Sequence, residues 1–522
     1  MTFLLDNLLP AFLRTRLGFH PTDTGHLIFR CARVLRPAWV FTLYVLVASI
    51  AFPQEADCSE SDVTFLGKHV AFPEINVSLS FEFGPSDYRE GQLSAAQRLS
   101  TDAILRKKGA AETPQAMLEL GDSWSRLGED ATARRWYLNA LDAAAGRLSK
   151  SKEIPPLGDA ITYGEALFRL GDTSKAIDVF AALSDVYPEA AELQYHLSTV
   201  LLARGDLHAA EEVARQLITQ RDDWLEALTL WGGLQFGLAM TRNQTGLVAD
   251  RIDVAPIRAA LKLHPELDPA LRLLEWNLRI AAHTLQRISE RMGQSGPWKG
   301  ISPTDPVAEE LKTIGANITP MTSDGTAPAA VWKAISWLNF IEGRDEAFFA
   351  STLELLARSY DKNEFEFSIV ALKMMGRGDL AVRLLTLKSV EYPNVKYRYM
   401  LAYLYDDAGD LVQAATALDK VLPEDPFVDM ARAVLALRTG NGSAASASFA
   451  QGLTGGYSAG DADYYRGIKS LLDGDPSGAK LHLAAFRAKA VLTHNMDLIL
   501  GRIEVKIELP RSRETSPNPS DS

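Results

Sequence analysis

The stretch Leu157–Ala190 constrains this chain more than any other. Its 34 residues hold two helix-length apolar patterns on either side of a Gly171-Asp172 turn, and Pro188 closes the second. A pair of helices this short cannot bury its own apolar face, so it predicts neighbours stacked against it. Turn glycines in comparable surroundings recur at Gly128, Gly205, Gly376 and Gly409. With apolar residues at 47% and a mean hydropathy of -0.05, the chain can supply a long core and still present a wettable surface.

The unit resembles the tetratricopeptide repeat, in which small residues stand where the two helices cross. Here those are Gly164 and Ala176, with Tyr163, Leu167, Phe180 and Leu183 in the neighbouring core positions. Pro114–Ala145 fits the same frame through Gly121, Trp124, Ala133, Tyr137 and Ala140. The unit after Ala190 fits through Ser198, Leu201, Ala210, Ala214 and Leu217. In the second half, Phe365–Pro393 and Val395–Pro426 match through Ala381 and through Ala402, Tyr405, Ala414 and Leu418. The resemblance implies an all-α fold, a helical-hairpin solenoid in two arrays; before it a small N-terminal β-hairpin is expected from the alternation over residues 75–83. The first array is expected over 91–292 and the second over 329–500. Between them, 293–328 is dotted with glycine and proline and reads as a loop-rich linker with a short helix at Val307–Ile314. The tail 507–522 is polar and proline-bearing and is expected to be disordered.

Residues 1–37 read as a cytoplasmic or leader segment, and 38–53 as an apolar signal-anchor or signal peptide. Ala38 to Phe52 carries no charge; arginines precede it and acids follow it, which predicts a body on the extracytoplasmic side. Anchoring, cleavage after Ala51 and a buried core helix all fit so short a stretch. Arginine outnumbers lysine and alanine is abundant, a composition that points to a bacterial periplasm. Over 57–90 a small β segment is expected, because Ile75, Val77, Leu79, Phe81 and Phe83 alternate with polar residues. Val63, Phe65, Val70 and Phe72 suggest its partner strand.

A net charge of -12 argues against a nucleic-acid partner. Two cysteines, Cys31 and Cys58, give neither a disulfide framework nor a zinc site. Nine scattered histidines show no ligand spacing, and neither a phosphate loop nor a nucleophile elbow is present. No cofactor, metal or catalytic residue is therefore expected. The resemblance implies instead a concave groove for a protein or peptide partner, lined by the first helix of each unit. Carried onto this chain, that face includes Glu165, Phe168, Tyr195, Tyr399 and Tyr403, with Asp122, Glu366, Lys373 and Asp406 beside them. The reading is a non-catalytic scaffold in assembly or export of an envelope component. The alternative is an enzyme or enzyme subunit with its site at 293–328.

Overall fold

A computed structural model describes residues 42–45, 62–72, 77–80, 113–126, 130–150, 155–241, 247–291, 296–323, 325–359, 362–391, 395–419, 425–457, 461–489, 499–504 and 507. Before the solenoid come strand β1 (Thr42–Val45), helix α1 (Asp62–His69) and strand β2 (Val77–Ser80). Four hairpins follow: α2 (Pro114–Arg126) with α3 (Asp130–Leu148), α4 (Leu157–Arg169) with α5 (Thr173–Val186), α6 (Ala191–Arg204) with α7 (Leu207–Gln220), and α8 (Leu225–Thr241) with α9 (Ala255–Leu263). The long α10 (Ala270–Arg291) and α11 (Ala308–Ile318) lead to the second half. That half pairs α12 (Ala329–Ile341) with α13 (Asp345–Arg358), α14 (Lys362–Met374) with α15 (Gly378–Glu391), and α16 (Val395–Asp407) with α17 (Leu411–Asp419). It ends with α18 (Pro426–Arg438) against α19 (Gly442–Thr454) and α20 (Ala462–Leu472) against α21 (Pro476–Lys489).

One turn chemistry recurs through both halves. At Gly205, φ is 90°, and its N–H bonds the Leu202 carbonyl while the Asp206 N–H bonds the Leu201 carbonyl. This pattern satisfies the last carbonyls of a helix and requires a left-handed residue, for which glycine has no steric cost. The same two bonds form at Gly171, Gly343, Gly376, Gly409, Gly440 and Gly474. The residue after the glycine then starts the second helix: Asp172 and Asn441 accept from the N–H three residues on.

Within a hairpin, the crossing is set by the missing side chain. A Cβ on Gly164 would stand 2.6 Å from Cζ of Phe180, which is wholly buried. Gly164→Ala is therefore expected to cost stability even though alanine is the better helix former by about 1 kcal/mol, because overpacking costs about 1–3 kcal/mol. Urea titration should show a lower midpoint, and adding Phe180→Leu should recover part of it.

The N-terminal segment departs from the expectation of a hairpin within 57–90. Residues Val63 to Phe72 are not a partner strand; Asp62–His69 is helical. Val63, Leu66, Gly67 and Val70 lie at helical spacing and face the second half of the solenoid, and that contact overrides the weak alternation. Strand β2 is present within Ile75–Phe83 but pairs antiparallel with β1, with Thr42 opposite Ser80 and Val45 opposite Val77. The described part of the apolar stretch 38–52 is thus strand rather than helix. The rest of that stretch lies outside the described residues, as does the tail 508–522. Among the described residues no helix is long and apolar enough to cross a membrane.

The central interruption is folded onto its neighbours. The Trp298 N–H bonds the Met374 carbonyl at 2.6 Å, the Ile301 N–H bonds the Ile341 carbonyl at 3.0 Å, and the Trp298 indole N–H bonds the Phe340 carbonyl at 2.7 Å. These acceptors lie in the last turns of α12 and α14, where carbonyls lack partners inside the helix. Arg287 pairs with Asp305 at 2.6 Å, and Glu310 of α11 takes both Arg279 and His283 of α10. Burial alone would raise the Glu310 carboxyl, but bonds from His283 and Arg279 hold it at about 2. Asn277 of α10 also donates to the Ala330 carbonyl of α12 at 3.2 Å. One core consequently runs from Ala191 through α8, α10 and α12 to the end of the second array, and it takes in Leu66, Val70 and Phe72.

Candidate functional site

In the first array the first helices of successive units are cross-linked by charge. Arg169 of α4 is buried and makes a two-point contact with Asp122 of α2, Nε to Oδ1 at 2.6 Å and a terminal nitrogen to Oδ2 at 3.1 Å. The Tyr137 hydroxyl donates to the same carboxylate at 2.9 Å, and burial followed by that charge raises its pKa. Glu165 stands between Arg169 at 3.4 Å and His196 of α6 at 3.2 Å. Burial would push the Glu165 carboxyl up, yet Arg169 and then His196 outweigh it and hold the group at about 2.

These partners place the residues expected to line the first groove. Glu165 is 9% exposed and spent on the charge chain. Phe168 is 5% exposed and packs with Leu167, Phe180 and Leu193 inside the array rather than facing an open groove. Tyr195 is half-buried, its ring 5.4 Å from that of Trp224 and edge-on to His196.

In the second array, Tyr399 and Tyr403 come together, both in α16, and both rings meet Phe72 at 5.5 and 5.9 Å. Burial raises both phenols, so they remain protonated at any ordinary pH. Lys373 sits 4.0 Å from the centre of the Tyr403 ring, bonds its hydroxyl, and reaches Asp407 at 3.2 Å. Asp406 holds Arg438 of α18 at 3.1 Å, and Lys396 pairs with Glu366 at 2.5 Å. Phe427, Tyr457 and Tyr465 extend the aromatic floor from Tyr399 towards α20.

Three contributors to this surface were not anticipated from the sequence: Arg438, Tyr464 and Tyr465. They stand on first helices of weakly matching units, where the repeat frame had not been carried through. The turns at Gly440 and Gly474 mark these units in the sequence, and counting back from each turn along its first helix is what would have found them. The segment that reaches these residues is the chain's own. Helix α1 packs on α18 and α20, Phe72 on α16, and β2 lies against α14.

Two stretches match the family described as Tetratricopeptide repeat, residues 163–223 and 396–420. The chain carries tetratricopeptide repeats. The first match spans the units that turn at Gly171 and Gly205, and the second lies within the unit that turns at Gly409. Over 115 residues this chain is 29% identical to the Protein O-mannosyl-transferase TMTC1 of Homo sapiens, a match covering 22% of the chain and only 12% of that relative's length. Among solved structures it is similar to the APC/C hetero-tetramer Cut9–Hcn1, at 13% identity over 78% of this chain and 93% of that one, with a TM-score of 0.22. A tetratricopeptide repeat protein from Parabacteroides merdae is similar at 14% identity over 62% and 98% of the two chains, with a TM-score of 0.30.

Proposed function

We propose that this chain is a non-catalytic scaffold whose concave face holds a polypeptide segment of a partner. The observation that carries the reading is residues 62–72, an apolar stretch of polypeptide seated on the first helices of the second array. The described part of the central interruption is spent on packing and helix ends rather than on converging reactive groups. An open depression of about 800 Å³ is lined instead by Asp250–Ala255, Arg258 and Lys262.

A photo-crosslinking residue at Tyr195, on the concave side, should capture a partner of defined mass. The same residue at Val412, 74% exposed on a second helix, should not. Capture at Val412 alone would overturn the concave-face reading. We also place the body on the extracytoplasmic side, in assembly or export of an envelope component. The support is the arginine-bearing flank before the apolar stretch and the acidic flank after it. A reporter fused after residue 60 and active only in the cytoplasm would overturn that assignment.

A further inference from the structure

Residues 62–72 occupy the second-array groove through contacts that read a pattern rather than fill a space. Helix α1 packs on α18 and α20, and Leu66 within it and Val70 just past its end are buried in the core they share. At the closest approach stands Gly67: a Cβ there would come 2.9 Å from the carbonyl carbon of Leu437 and closer still to its oxygen. Those are backbone atoms, which cannot turn aside, so the crossing admits glycine alone.

The groove also ends the helix. In an uninterrupted helix the Ala71 N–H would bond the Gly67 carbonyl. Here the Ala71 N–H goes to the Tyr464 hydroxyl at 3.1 Å, and the Gly67 carbonyl accepts from Arg438, which Asp406 holds in place. The Tyr465 hydroxyl donates to the Ala71 carbonyl at 3.1 Å. Both main-chain groups of one residue are therefore held by two adjacent tyrosines. One residue further on, Phe72 is 3% exposed against Tyr399 and Tyr403. Lys68 faces outward.

An eight-residue helix is not stable alone in water, so α1 owes its form to the surface that holds it. Resting on the scaffold reading above, we propose that the second-array groove is a receptor for segments of another protein with this pattern. The pattern is a short helix carrying Leu-Gly, broken three residues later, then a small residue and a phenylalanine. Residues 62–72 are the built-in competitor for that site. Tethering raises the competitor's effective concentration above that of a free segment, so a partner must match the pattern to displace it.

The test uses the full chain and a fluorescent synthetic peptide of residues 60–74, followed by anisotropy. Wild type should bind it weakly. Gly67→Ala in the chain should expel the tethered segment and tighten peptide binding at least tenfold. Adding Tyr465→Phe or Tyr399→Ala should reverse that gain, and a peptide carrying Phe72→Ala should not bind. A folded Gly67→Ala chain that binds the peptide no better than wild type overturns the proposal, because the segment is then a fixed part of the fold. Hydrogen exchange on wild type and Tyr465→Phe decides the matter if Gly67→Ala fails to fold. Amides of 62–72 should exchange at least tenfold faster than those of α18 and α20, and faster again in the variant; exchange in step with those helices overturns it. Concentration-dependent dimers of wild type would assign the groove to a second copy and also overturn it. Crosslinks from Tyr195 with no response to Gly67→Ala would leave the scaffold reading standing and remove only this inference.

Discussion

Arg169→Met is expected to destabilise the protein by about 3 kcal/mol at pH 7, at the lower end of the about 3–5 kcal/mol that follows from breaking a buried ion pair. Methionine keeps the packing of the arginine stem, so the loss reports the charge. Arg169 is the common partner of Asp122 and Glu165, and without it two carboxylates on the first helices lose their principal counter-charge. The lower end applies because the Asp122 side chain is 24% exposed and part of its charge remains in water. The effect should shrink in acid. Glu165 is held at about 2 against an ordinary 4.5, so the stability it contributes is fully present above pH 4.5 and is lost as pH falls towards 2. In the variant the larger part of that contribution is gone, and burial raises the carboxyl against His196 alone. Urea midpoints for wild type and variant should therefore be furthest apart at pH 7 and converge between pH 4.5 and pH 2. Equal separation at pH 7 and pH 3 would mean that the loss is one of packing. Replacing Arg169, Asp122 and Glu165 together with apolar residues should recover most of the loss, since a buried ionic group and a well-packed apolar one differ little in net stability.

The parts of the fold legible in the sequence are those in which one residue type answers to one local requirement. A left-handed turn needs glycine and the next helix needs a cap, so Gly171-Asp172 and Gly409-Asp410 announce their hairpins. Gly440-Asn441 and Gly474-Asp475 do the same in weaker units. A helix crossing needs a small residue, which makes Gly164 readable. What could not be read is set by contact between distant segments. Residues 62–72 carry an ambiguous pattern, and the surface of α18 and α20 decides it in favour of a helix that ends at His69. The repeat frame assigns a side chain to a face but does not say what covers it. It put Phe168 and Glu165 towards the groove, where an adjacent array core and an adjacent ion pair take them up. The frame also stopped short of Tyr464 and Tyr465, because a degenerate unit carries the same geometry without the same letters.

Trp298→Ala, in the stretch that glycine and proline made resemble a linker, is expected to cost about 3–5 kcal/mol, the range for truncating a buried tryptophan to alanine. The indole is stacked on Phe340 with ring centres 5.9 Å apart and donates to the Phe340 carbonyl. That carbonyl also receives the Gly343 N–H at 3.0 Å, so losing the indole does not leave it unpaired. The cost is therefore chiefly lost packing. Trp298→Phe keeps a ring against Phe340 and removes the donor, and it should cost about 1 kcal/mol, the net worth of one hydrogen bond. The two substitutions together separate packing from bonding. A residue in a linker would change the urea midpoint by no more than about 0.5 kcal/mol in either variant. A residue that seals the ends of α12 and α14 should give the unequal pair of losses above. The backbone bonds from Trp298 and Ile301 survive both changes, so the segment should keep its course and the loss should appear as lower stability rather than as a different fold. That difference matters for the scaffold as a whole. In a solenoid each unit is held mainly by its neighbours, so a segment between two arrays either transmits stability or interrupts it. Trp298 is the residue whose removal measures which of the two the central segment does.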